Sequence, residues 1–235
     1  MKRSSFKTKY FSRGEIILWS LSTLSILVSF FLFDGSGYLS LIASLIGVTS
    51  LLLCAKGNPL GQVLMVIFAI LYAVISFTFE YYGEMITYLG MSMPMAIVAL
   101  VSWLRHPYNE SRSQVEVASL KKGEPIFIAL LTVAVSVAFY FILKLLGTSN
   151  LLPSTFSVTT SFAAAYLTFR RNPWYAVAYA LNDVVLIVLW ILASFEDISY
   201  LSVIVCFAVF LVNDIYGFIC WMRMKKFQAV GKNNN

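Results

Sequence analysis

The sequence predicts an all-α membrane protein of eight transmembrane helices. Two parallel three-helix repeats joined by a linker helix (3+1+3) follow one N-terminal accessory helix. Three observations carry that expectation. Of the 235 residues, 60% are hydrophobic and 12% charged, with a mean hydropathy of +0.82, whereas soluble domains lie near about 45–50% and about 25%. The apolar residues fall into eight runs long enough to cross a bilayer at about 1.5 Å per residue. One device also recurs: Lys56-Gly57-Asn58-Pro59 and Arg170-Arg171-Asn172-Pro173 each open a span, and Trp103-Leu104-Arg105 and Trp221-Met222-Arg223 each close one.

The elements follow in order. Residues 1–37 hold a basic tail (Lys2, Arg3, Lys7, Lys9, Arg13) and the accessory span 16–33, ended by the Asp34-Gly35-Ser36-Gly37 turn. The first repeat, 38–105, contains spans 38–55, 60–79 and 85–104, the last two separated by an acidic turn with Glu80 and Glu84. Asn is a good helix cap and Pro a good first helical residue, so Asn58-Pro59 and Asn172-Pro173 read as helix starts. Pro94, inside the fourth span, removes a backbone donor and bends its helix. Residues 106–150 supply a polar loop and the linker span 125–143, with Pro125 near its start. The second repeat, 151–223, contains spans 151–169, 173–195 and 198–222, and a basic tail, 224–235, ends the chain.

Charge sets the orientation. With the N-terminus inside, the inner segments collect every Lys and Arg except Lys144, sixteen of seventeen, and the outer turns collect Asp34, Glu80, Glu84, Glu196 and Asp197. Lys and Arg favour cytoplasmic loops, so both termini are expected in the cytoplasm. An odd number of linker crossings then gives both repeats the same orientation, the parallel logic of transporters whose site lies at the repeat interface. The net charge of +6 sits in loops and tails and signals no nucleic acid. No cleavable signal peptide is expected.

The chemistry concentrates where polar residues enter apolar runs. Asn182-Asp183 and Asn213-Asp214 lie inside the seventh and eighth spans. A carboxylate at mid-membrane costs roughly 2.5–3.5 kcal/mol on insertion scales, so it faces a cavity or a partner. Tyr179, Asn182, Asp183, Leu186 and Trp190 share one helical face, as do Phe210, Asn213, Asp214, Gly217 and Trp221. Flat aromatic surfaces beside convergent Asn and Asp suit a nucleoside-like ligand; helix-to-helix bonding is the competing reading. Tyr88 and Ser92 are placed on the first repeat's side of such a cavity. Trp174, with Tyr175, sits where an aromatic belt is expected and is also a ligand candidate. Trp103 and Trp221 read as interface anchors. Cys54, Cys206, Cys220 and the single His106 lack metal-ligand spacing, and no catalytic motif emerges. The expectation is a transporter without cofactor or metal, not an enzyme.

RRNPWYAVAYALNDVVLIVLW (170–190), YGEMITYLGMSMPMAIVALVSWLR (82–105) and the 3+1+3 layout resemble the PnuC family of nicotinamide riboside transporters, over nearly the whole chain. The chain departs from that family's pattern at Val177, where a second Trp is common, and at Ala96, where Gln is common. The resemblance implies uptake of nicotinamide riboside across a bacterial inner membrane by facilitated diffusion. A cytoplasmic kinase would trap the substrate by phosphorylation. Relatives carrying other B-vitamins (thiamine, riboflavin) or deoxynucleosides supply the alternative. The implied partners are the substrate, the bilayer and that kinase, with homo-oligomerisation left open. Nicotinamide riboside bears a fixed positive charge. Trp190, Tyr179, Asp183 and Asp214 are therefore expected around its ring, with Asn182 and Asn213 on its carboxamide or ribose.

Overall fold

The computed structural model describes residues 10–78, 82–109, 111–148, 150–195 and 197–233. The expected inner cations Lys2, Arg3, Lys7 and Lys9 and the expected outer acids Glu80 and Glu196 lie outside those residues.

The described chain is a bundle of eight helices. α1 (Arg13–Asp34) starts at a capping box: Ser12 Oγ accepts from the Glu15 amide at 3.2 Å, and the Ser12 amide donates to Glu15 Oε2 at 2.7 Å. Its last turn widens to π-helix and stops at Gly35, φ +67°. α2 (Tyr38–Ala55), α3 (Leu60–Thr78) and α4 (Tyr82–Arg105) follow. A short hairpin, β1 (Pro107–Tyr108) and β2 (Ser111–Val115), precedes α5 (Glu124–Leu145), α6 (Leu151–Phe169), α7 (Trp174–Ser194) and α8 (Leu201–Asn233). Seven of these helices are long and apolar enough to cross a membrane. The eighth, α6, has 19 residues, about 28 Å at 1.5 Å each, but it is dense in Ser and Thr. Their hydroxyls return to the helix: Thr155, Thr159 and Thr168 donate to carbonyls four residues back at 2.8 Å. That satisfies polar groups where no water reaches.

The two Asn-Pro corners have the same local geometry. Gly57 (φ +67°) and Arg171 (φ +56°) are both left-handed. Asn58 Oδ1 accepts from the Leu60 amide at 2.9 Å and Asn172 Oδ1 from the Trp174 amide at 3.1 Å, each capping the next helix. The chain after the hairpin crosses both corners: the Val115 amide donates to the Gly57 carbonyl at 2.9 Å, and the Ala118 amide to the Arg171 carbonyl at 3.0 Å. Gln228 holds this strap from α8, accepting from the Val117 amide at 2.8 Å and donating to the Val115 carbonyl at 3.1 Å. Both helical ends of the chain lie here, because Glu15 pairs with Lys56 at 2.9 Å. The Glu124 carboxylate pairs with Arg170 nearby and raises that guanidinium above its ordinary value.

Several sequence expectations need correcting. The last helix does not stop near residue 222 but continues to Asn233, because its polar extension is held by the strap through Gln228. Glu84 is not in a loop; it belongs to the first turn of α4. The distortion of α4 is a π-helical turn at Tyr88–Ser92. Pro94 has no N–H for the Gly90 carbonyl, and a widened turn before it accommodates that loss. Trp103 and Trp221 are not interface anchors: both are 0% exposed, in a cluster with Cys54, Tyr175 and Met224.

Candidate functional site

A central cavity of about 110 Å³ lies among α2, α3, α4, α6, α7 and α8. Tyr88, Tyr179, Asn182, Asp183 and Asp214 all line it, as does Ser92. Aromatic rings pack against its lining side chains. Towards the corners, Tyr175 stacks edge-on against Trp221 at 5.0 Å and neighbours Tyr179 at 6.2 Å. Towards the far end, Tyr72 lies 4.7 Å from Phe68 and 5.1 Å from Tyr88.

The walls are chemically unequal. α7 contributes the acid and the amide, because Tyr179, Asn182, Asp183 and Leu186 occupy one face. Asp183 and Asp214 are each 4% exposed and both line the cavity. Asp183 Oδ2 has no protein hydrogen-bond partner. Among the described residues no Lys or Arg lines the cavity, so nothing cationic offsets the two acids there. Asn182 Oδ1 accepts from Thr160 and Ser161, each at 2.9 Å, and from Ser157 at 3.2 Å, all on α6. The arrangement can hold a ligand that brings hydrogen-bond donors or positive charge, between aromatic surfaces.

Three residues expected at the site lie elsewhere. Trp190 sits two turns beyond Asp183, its ring 5.2 Å from Tyr200, and lines a separate cleft with Asp34, Tyr72, Glu84 and Asp197. Asn213 points to the accessory helix, donating to Ser22 Oγ at 3.0 Å and to the Val209 carbonyl at 2.8 Å. Adjacent residues on a helix diverge by about 100°; Asp214 therefore takes the cavity side and α1 covers Asn213. Trp174 is 55% exposed at the corner end, with its ring 5.4 Å from Phe218.

Sequence reasoning passed over Glu84, Thr148, Ser157, Ser161 and Phe68, which also line the cavity, as does Phe210 from the face of α8 singled out in the sequence. The Ser/Thr density of 154–161 within an otherwise apolar run was the available signal for α6. Glu84 had a signal too, a carboxylate at the start of an apolar helix. No group of three or more metal-ligating side chains occurs among the described residues.

The comparisons agree with this architecture. A family model described as nicotinamide mononucleotide transporter matches residues 37–223. The chain is 28% identical over 215 residues to the nicotinamide riboside transporter PnuC of Neisseria mucosa, covering 89% of this chain and 81% of that protein. It is 22% identical over 191 residues to the nicotinamide riboside transporter PnuC of Haemophilus influenzae, covering 80% and 81%. The fold is similar to the crystal structure of the vitamin B3 transporter PnuC, with a TM-score of 0.80, 22% identity and coverage of 93% of this chain and 94% of that one.

Proposed function

Given that this chain belongs to the nicotinamide mononucleotide transporter family, and is therefore a multi-pass bacterial membrane transporter rather than an enzyme, we propose that it takes up nicotinamide riboside by facilitated diffusion. The observation that supports this most directly is the cavity with Asp183, Asp214 and Asn182 on its wall and Tyr88 and Tyr179 beside them. A pyridinium ring is a fixed cation with a flat face. Aromatic rings attract such a cation by about 0.5–2 kcal/mol, and uncompensated carboxylates in a low-dielectric cavity add to that attraction. Asp183, Asp214, Tyr179 and Tyr88 form the ring subsite in this reading, and Asn182 takes the carboxamide or ribose. Trp190, Asn213 and Trp174 act around it, in the far-end cleft, under the accessory helix and at the corner end.

The matching corner geometries at Gly57 and Arg171, with the paired Trp residues, support the 3+1+3 repeat. An internal pseudo-symmetry of this kind places the substrate at the repeat interface and lets the two ends open alternately. A cytoplasmic kinase that phosphorylates the entering nucleoside completes the proposal, since passive passage alone cannot accumulate it.

The test is uptake of labelled nicotinamide riboside into vesicles containing only this protein. Entry that saturates and is competed by unlabelled substrate is the expected result. No entry, with thiamine, riboflavin or a deoxynucleoside entering instead, would move the assignment to that ligand.

A further inference from the structure

Asn182 is held in an unusual way for a membrane asparagine. Three hydroxyls of α6 surround its carbonyl oxygen: Thr160 Oγ1 and Ser161 Oγ at 2.9 Å, Ser157 Oγ at 3.2 Å. Thr160 divides its single hydrogen among this oxygen and the carbonyls of Phe156 (3.0 Å) and Ser157 (3.1 Å). Ser157 and Ser161 have no other acceptor among the described residues, so Asn182 Oδ1 is where their hydrogens go. An asparagine oxygen has two lone pairs, and two full donors with a third in reserve saturate it. The opposite amide orientation would strand both serine hydrogens.

The consequence concerns the other end of the amide. Asn182 Nδ2 has no protein partner among the described residues, and its residue lines the cavity while only 7% exposed overall. An amide that could turn would present either a donor or an acceptor. One whose oxygen is already saturated presents donors only. A buried donor-only point discriminates strongly, because a ligand without a good acceptor there leaves N–H groups unpaired.

We infer that Ser157, Thr160 and Ser161 are positioning residues that fix Asn182 as a donor-only contact for a ligand carbonyl oxygen. The inference rests on the proposed uptake of a carboxamide-bearing nucleoside through this cavity. It adds that α6, the most hydroxyl-rich of the eight helices, sets the selectivity for the carboxamide through Asn182.

The discriminating ligand pair is nicotinamide riboside and its thioamide, which keep the same charge and ring while sulfur replaces oxygen as a poorer acceptor. Binding of both is measured by calorimetry on purified protein. Wild-type protein is expected to prefer the oxygen ligand roughly 3- to 10-fold, the factor for one neutral hydrogen bond. The Ser157→Ala/Ser161→Ala double variant should lose most of that preference, and Ser161→Thr, which keeps the hydroxyl, should retain it. If the double variant does not fold, each single serine-to-alanine variant should still lose part of the preference. Full preference in the alanine variants, or equal binding of the two ligands by wild-type protein, overturns the inference and leaves the proposed function standing. Failure of wild-type protein to bind either ligand overturns both.

Discussion

Trp103 and Trp221 lie with ring centroids 5.3 Å apart, and each donates its indole N–H across the molecule. Trp103 Nε1 donates to the Thr168 carbonyl at 2.9 Å, and Trp221 Nε1 to the Cys54 carbonyl at 2.8 Å. Each acceptor is the third residue before a left-handed corner, Arg171 or Gly57. The helix that closes one half is thereby fastened to the corner of the other, in both directions. A phenylalanine at either position keeps most of the ring contact and leaves the carbonyl only its backbone donor, the Arg171 or Gly57 amide at 2.9 Å, so one neutral hydrogen bond is lost at about 0.5–1.5 kcal/mol. Trp103→Phe and Trp221→Phe should each lower thermal stability in detergent by a similar amount. Because the rings touch, the double variant should depart from the sum of the two. Strict additivity would show that the two fastenings are independent.

The corners make a second prediction about backbone alone. Gly57 has φ +67°, and a Cβ there would meet Val115 Cγ1 at 3.2 Å and Met224 Cε at 3.3 Å. Gly217, on α8, would place its Cβ 3.8 Å from Ala176, Ala55 and Tyr175 in ordinary contact. Gly57→Ala should destabilise by about 1–2 kcal/mol, the cost of a left-handed L-residue. Gly217→Ala should be neutral or stabilise by up to about 1 kcal/mol, as a helix interior favours alanine. Melting curves of the two variants check the contrast, and equal shifts would refute it.

Much of this was legible because the bilayer simplifies the code. Runs of 18 or more largely apolar residues between polar turns located the helices, and Asn58-Pro59 and Asn172-Pro173 marked two helix starts to within one residue. Asp183 and Asp214 were legible as cavity residues because a lone acid in an apolar helix has few other places to go. Periodicity could not say how a helical face divides among its neighbours. Asn213 and Asp214 look alike in sequence; only the position of α1, with Ser22 facing Asn213, separates them. Trp190 shares the Asp183 face but lies about 10 Å further along the helix, beyond the cavity. The strap at 115–118 was illegible for another reason. Its bonds run to the Gly57 and Arg171 carbonyls, and backbone acceptors leave no residue-type signature.

Orientation is a prediction from charge. The corner end carries Lys56, Arg105, Arg170, Arg171 and Arg223, and the positive-inside rule predicts a cytoplasmic location for it. Reporters fused to the N- and C-termini should both read as cytoplasmic in intact cells. Labelling of either terminus by an impermeant reagent from outside would reverse the assignment.

Coupling is tested without mutation. Facilitated diffusion requires that vesicles, given no pH or sodium gradient, fill with nicotinamide riboside to the outside concentration and no further. An uncoupler should leave that plateau unchanged. Accumulation above it that collapses with an uncoupler would mean that the acids of α7 and α8 carry a proton during transport.

Asp183 is the sharpest test of how charge is read. Among the described residues its Oδ2 is buried without a protein partner, its neighbour Asp214 is equally buried, and no Lys or Arg lines the cavity. Asp183→Asn preserves shape and removes one ionisable carboxyl from the pair. If that charge attracts the pyridinium ring, binding of nicotinamide riboside should weaken by roughly 1–2 kcal/mol, in the range for a hydrogen bond to a charged group. A neutral nucleoside of the same shape meets the same cavity without the Coulomb attraction and should lose much less. It could even gain, since the variant relieves the repulsion between two neighbouring carboxylates. Calorimetry with both ligands on wild-type and variant protein separates the cases. A selective loss for the cationic ligand assigns charge recognition to Asp183. An equal loss for both would mean that Asp183 acts through hydroxyl contacts or through the packing of α7 against α8, and the charge-reading proposal would fail.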